Sequence, residues 1–65
     1  MRVKFGKHIY LCTKVTHPEN SNLLLFTTSN GVYTVDCKNF KNAETIYENI
    51  YFKGVCDVTD FEYSN

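Results

Sequence analysis

Tryptophan is absent from this 65-residue chain, proline occurs once, and glycine and cysteine three times each. With the glycines isolated at Gly6, Gly31 and Gly54, there is no glycine-rich loop to cradle a phosphate. The cysteines, Cys12, Cys37 and Cys56, are odd in number and far apart, so they cannot all pair as in a small secreted scaffold. They read as reduced, buried thiols. Neither sign of charge is in excess, with 7 Lys+Arg against 7 Asp+Glu, whereas a nucleic-acid binder normally carries a basic domain or stripe. Long hydrophobic runs are missing too. The longest stretch of purely hydrocarbon side chains, Leu23-Leu24-Leu25-Phe26, falls far short of the roughly 20 residues that cross a bilayer. Met1-Arg2-Val3-Lys4-Phe5-Gly6 leads into no apolar signal region. The expectation is a cytoplasmic protein with no membrane partner.

The 43% hydrophobic and 22% charged residues are ordinary for a globular protein. One small domain over residues 1–65 is expected, and a domain of this size buries only about 60% of its unfolded surface. Its charge is unevenly spread. Residues 1–17 carry Arg2, Lys4, Lys7 and Lys14 without an acid; residues 54–65 carry Asp57, Asp60 and Glu62 without a base. Side-by-side first and last strands would bring these opposite charges together.

Period-two alternation marks most of the chain as strand. Val3 and Phe5 begin a short strand. From His8 to Thr16, Ile9, Leu11 and Val15 fall on one side, and His8, Tyr10, Cys12 and Lys14 on the other. A three-residue loop at Gly6, setting Phe5 opposite Ile9 and Val3 opposite Leu11, separates apolar from polar best. Asn30-Gly31 suggests a type I′ hairpin turn with Thr28 facing Tyr33, Phe26 facing Val35 and Leu24 facing Cys37. The core face is then Leu24, Phe26, Thr28, Tyr33, Val35 and Cys37. Ala43, Ile46, Tyr47 and Ile50 recur at helical spacing, with Tyr51 on the flank, Asn42 as N-cap, Glu44 in the first turn and Gly54 as the stop. Val55 to Tyr63 returns as a strand, with a bulge where alternation fails. The fold class expected is α+β: a mainly antiparallel five-strand sheet in the order β-β-β-β-α-β, with one helix packed on one face. Because Leu23 to Phe26 is apolar on both faces, the sheet should curl toward a barrel or take a second molecule on its other side.

Candidate sites are few. Metal ligands normally come as pairs two to five residues apart; His8 and Cys12 are the nearest approach, and on a strand they stand about 13 Å apart. No metal and no cofactor is expected. Cys12 and Cys37 occupy core positions, and no third group orients a Cys–His pair, so no catalytic residue is assigned and the protein is read as not an enzyme. Tyr10 shares a strand face with His8 and Lys14; together with Arg2 and Lys4 these could hold single-stranded nucleic acid weakly by stacking and charge. The preferred reading is a small protein-binding module. Phe52 stands on the polar side of the helix near Glu44 and Glu48, and Asp60 and Glu62 add acidity from the last strand. The partner is another protein or a second copy of the chain, a homodimer. Lys, Asn, Ile, Tyr and Phe supply 26 of the 65 residues, a bias that AT-rich codons give. Such a bias in so small a chain suggests a phage or mobile-element accessory protein, an inhibitor or adaptor of a host protein.

Overall fold

The computed structural model describes residues 1–49 and 54–65. It is an α+β domain of six strands and one helix: β1 (Arg2–Phe5), β2 (His8–Thr16), β3 (Leu23–Thr28), β4 (Gly31–Asp36), α1 (Phe40–Asn49), β5 (Val55–Asp57) and β6 (Glu62–Ser64). The strands form one sheet in the order β5-β1-β2-β3-β4-β6. All neighbours are antiparallel except β1 and β5.

Where one last strand was expected there are two. Asp57 ends β5 by accepting hydrogen bonds at Oδ1 from the Thr59 amide (3.0 Å) and hydroxyl (2.6 Å). This local closure turns the chain out of the strand. Val58 then drops into the core, fully buried, and its amide donates to the Lys4 carbonyl. The chain reappears as β6 on the far edge of the sheet.

That crossing dictates the shape. A flat six-strand sheet separates its edges by about 24 Å. The five residue steps from Asp57 to Glu62 reach at most about 18 Å, and a turn in which the Phe61 amide donates to the Val58 carbonyl shortens them further. The sheet must therefore curl. Phe5 on β1 accordingly touches Tyr33 on β4 (ring centroids 4.5 Å) and Tyr63 on β6 (4.8 Å). The edge strands β5 and β6 do not pair, so the curl stops short of a closed barrel.

The core fills the inside of the curl with Val3, Phe5, Cys12, Val15, Leu24, Phe26, Tyr33, Val35, Cys37, Ala43 and Val58. The hairpin face expected from alternation is buried as a set, although its register is shifted by two residues: Phe26 faces Tyr33 and Leu24 faces Val35. The turn is Ser29-Asn30. A type I′ turn needs positive φ at both central residues, yet here only Gly31, the residue after them, has it (φ 104°). Thr28 fixes this shape, its Oγ1 accepting from the Asn30 amide and donating to the Gly31 carbonyl. Since the slip is even, no side chain changes face.

The first hairpin corrects the expected register. Phe5 faces His8 and Lys4 faces Ile9, so the turn is the two-residue Gly6-Lys7, with Gly6 alone at positive φ (63°) as a type II′ turn requires. Tyr10 and Cys12 consequently point inward, while Ile9 and Leu11 point outward. Val15 is nevertheless inside, because β2 bulges between Cys12 and Lys14 and the alternation changes phase there.

The helix cap also differs. Asn39, not Asn42, is the N-cap: its Oδ1 accepts from the Asn42 amide (2.8 Å). Asn42 reaches back to donate to the Cys37 carbonyl, and Glu44 falls beyond the first turn, which holds no acid. The Ala43, Ile46, Tyr47 stripe faces the core as expected. Ile50, Tyr51 and Phe52, and with them the expected closure of Val55 on Ile50, lie outside the described residues.

Candidate functional site

Two surfaces carry chemistry. The first is the outer face of the curled sheet. Strand register sets its rows: Lys4 beside Ile9 and Asp57, Arg2 beside Leu11 and Val55, Lys14 beside Thr27 and Val32, and Leu23 beside Asp36, itself beside Glu62. Ile9 and Leu11 are 51% and 59% exposed. A strand that leaves two aliphatic side chains half exposed forgoes about half of the roughly 1.5–3 kcal/mol that full burial of each would give. Leu23, Leu25 and Thr27 on β3 are half-buried. Thus the doubly apolar third strand is covered inside by the curl and only partly outside.

The outer face is polarised. Arg2, Lys4 and Lys14 surround Ile9 and Leu11 at one side. At the other, Leu23, Thr34, Asp36, Glu62, Tyr63 and Ser64 line a shallow groove of about 240 Å³. Asp36 and Glu62 stand directly opposite one another on β4 and β6, an unfavourable pairing of like charges. Asp36 is partly satisfied, its Oδ1 accepting from Asn22 Nδ2 (2.9 Å) and the Lys38 amide (2.8 Å).

The second surface is an aromatic cluster on the inner side. His8 and Tyr10, two residues apart on β2, hold their rings nearly parallel (7°, centroids 6.1 Å apart). Tyr10 stacks in turn on Tyr33 (5.7 Å), and Phe5 and Tyr63 complete the group. The hydroxyls are ordered. Tyr33 accepts from Asn30 Nδ2 (2.8 Å); this bond, with others from Asn65 and Tyr10, favours its phenolate and lowers its pKa. Tyr10, whose hydroxyl is tied to that of Tyr33, is raised. His8 and Tyr63 are open to solvent.

The expected nucleic-acid residues are therefore divided. Tyr10 lies inside with the aromatic cluster, and His8 stacks on its ring. Arg2, Lys4 and Lys14 lie on the outer face, because the Gly6-Lys7 turn and the β2 bulge separate Tyr10 from Lys14. The protein-binding residues are dispersed as well. Glu44 and Glu48 are exposed on α1, Asp60 is in the β5–β6 turn, and Glu62 borders the groove. Phe52 lies outside the described residues. Sequence reading missed Ile9, Leu11 and Tyr63. Tyr63 is visible in the sequence only as part of one long strand, and its meeting with Phe5 requires the crossing from β5 to β6.

The thiols fit a packing role. Cys12 and Cys37 are buried, and desolvation raises both pKa values, with Asp36 adding to the rise at Cys37. Such thiols are poor nucleophiles and poor ligands. Among the described residues no group of three or more His, Cys, Asp or Glu side chains could hold a metal ion, and no helix is long and apolar enough to cross a membrane. Compared with known proteins, the chain matches no family model, no curated protein and no solved structure.

Proposed function

We propose that the protein is a small binding module that engages a protein partner, another protein or a second copy of the chain, through the outer face of its sheet. One observation carries this reading: Ile9 and Leu11 form an exposed aliphatic pair beside Arg2 and Lys4, an apolar centre with a charged rim. Glu44 and Glu48 on α1, Asp60 in the β5–β6 turn and Glu62 on β6 are dispersed acids that offer only secondary contacts. A role as inhibitor or adaptor needs nothing more than such a surface; the bias toward Lys, Asn, Ile, Tyr and Phe is what supports a phage or mobile-element origin.

A second reading draws on the aromatic cluster. His8, Tyr10 and Tyr63 offer rings on which bases of a single strand could stack. It is weakened by the bases at Arg2, Lys4 and Lys14 facing the other way.

One experiment separates the two. The tagged protein and its Ile9→Thr/Leu11→Thr variant are used to capture partners from nuclease-treated lysate of the source cells, and both are titrated against a fluorescent oligonucleotide at low and high salt. Threonine keeps the strand propensity while removing the apolar surface. The expected result is one stoichiometric protein retained by the parent and lost by the variant, whose melting temperature stays within a few degrees. Capture that ignores the substitution sinks the outer-face reading. Salt-sensitive oligonucleotide binding that is lost on Tyr10→Ala would establish the second one instead.

A further inference from the structure

We propose that the outer face is self-complementary and joins copies of this chain head to tail, Ile9 and Leu11 of one copy seating in the groove between Leu23 and Glu62 of the next. This rests on the reading of the outer face as the binding surface, and it names the partner.

Shape and charge both support it. The protruding element is aliphatic and ringed by Arg2, Lys4 and Lys14. The receiving element is a groove of about 240 Å³ with Leu23 in its lining and Asp36 and Glu62 on its border. That volume is below the roughly 300 Å³ at which small-molecule sites begin, and it is the right order for aliphatic side chains. The acids facing each other across β4 and β6 repel until a cation comes between them, and the bases around Leu11 supply that cation. One acid, Asp57, stands beside Lys4 and offsets part of the charge there, which leaves Arg2 and Lys14 as the principal bases of the rim. With 7 charges of each sign, no net repulsion keeps copies apart.

The curl sets the geometry. β1 and β2 face outward in one direction, and β4 and β6 in another. With the two elements on opposite flanks of the sheet, each engages a different neighbour, and the contact proposed is heterologous rather than two-fold. The molecule measures 26 × 24 × 19 Å, so one contact is smaller than the roughly 800 Å² per partner of a stable complex. Association is accordingly weak and sensitive to salt.

Sedimentation equilibrium tests this. Weight-average mass should climb from the 7.6 kDa monomer as concentration rises from about 10 µM to about 1 mM, passing the dimer, and should fall back at high salt. Ile9→Thr/Leu11→Thr lacks the protrusion; Glu62→Lys spoils the groove. Each should stay monomeric alone, and an equimolar mixture should form a dimer that grows no further, because one good element remains on each. Lys14→Glu, an exposed change outside the apolar pair, should also weaken association. Monomeric parent protein up to about 1 mM, or variants that associate as the parent does, overturns the proposal. A monomeric parent that still captures a cellular protein through Leu11 overturns self-pairing alone and leaves the binding module intact.

Discussion

Single residues close the ends of these short strands, and Thr59 is the clearest example. Its hydroxyl donates to Asp57 Oδ1 and its Oγ1 accepts from the Gly6 amide (2.9 Å), so it ties the end of β5 to the first hairpin turn. The two Thr59 bonds, the side-chain one first, hold the Asp57 carboxyl below its ordinary value of 3.8, with Lys4 adding a little. A carboxyl depressed in the folded state contributes stability above its unfolded pKa and loses it as the pH falls through its lower, folded value. Thr59→Ala should return the Asp57 pKa toward the ordinary value. The parent's advantage over the variant should be largest at neutral pH and shrink below the folded pKa to what the Gly6–Thr59 bond alone contributes. Carbon-detected NMR titration of Asp57 together with urea melts at several pH values would check it, and an unchanged Asp57 titration would contradict it.

At the scale of elements, what was legible in the sequence depended on parity. The β3–β4 core face survived a wrong turn because the register error was even, leaving Leu24, Phe26, Tyr33 and Val35 inside. The β1–β2 face did not, because the loop length was wrong by one residue and the β2 bulge carries no glycine or other local mark. The bulge at Thr13-Lys14 is set by pairing with Thr27 and Thr28, a nonlocal cause. Helix α1 was legible from its stripe, but its start was not, since Asn39 and Asn42 are equally good caps by residue type. Their roles can be separated. Asn39→Ala should cost about 1 kcal/mol and lower the melting temperature by about 4–8 °C in a domain of this size. Glu44→Ala, one residue beyond the first turn, should leave it nearly unchanged. Equal losses would mean that the helix begins later than Phe40. The binding surfaces were the least legible: an exposed Leu11 and a buried Tyr10 differ only in the phase of one strand.

For the whole molecule, the last twelve residues supply far more than their share. β5 covers the β1 edge, β6 covers part of the β4 edge, and Val58 between them is wholly buried. Removing residues 54–65 should therefore abolish cooperative folding, not trim a tail. The shortened chain should show a collapsed amide proton spectrum and elute as aggregates; a well-dispersed spectrum would show that β1 to β4 and α1 stand alone. An unpaired edge is a template for other chains, and here two edges are uncovered together.

The crossing from Asp57 to Glu62 also acts as a clock. On the ribosome the first four strands and the helix emerge while both flanks of the sheet are still bare. Nothing upstream can curl it, because the short tether that draws the flanks together is made after all of them. The native state is thus reached in one event once Ser64 has emerged, and a chain stalled or ended before that point is a sticky intermediate with two open sides.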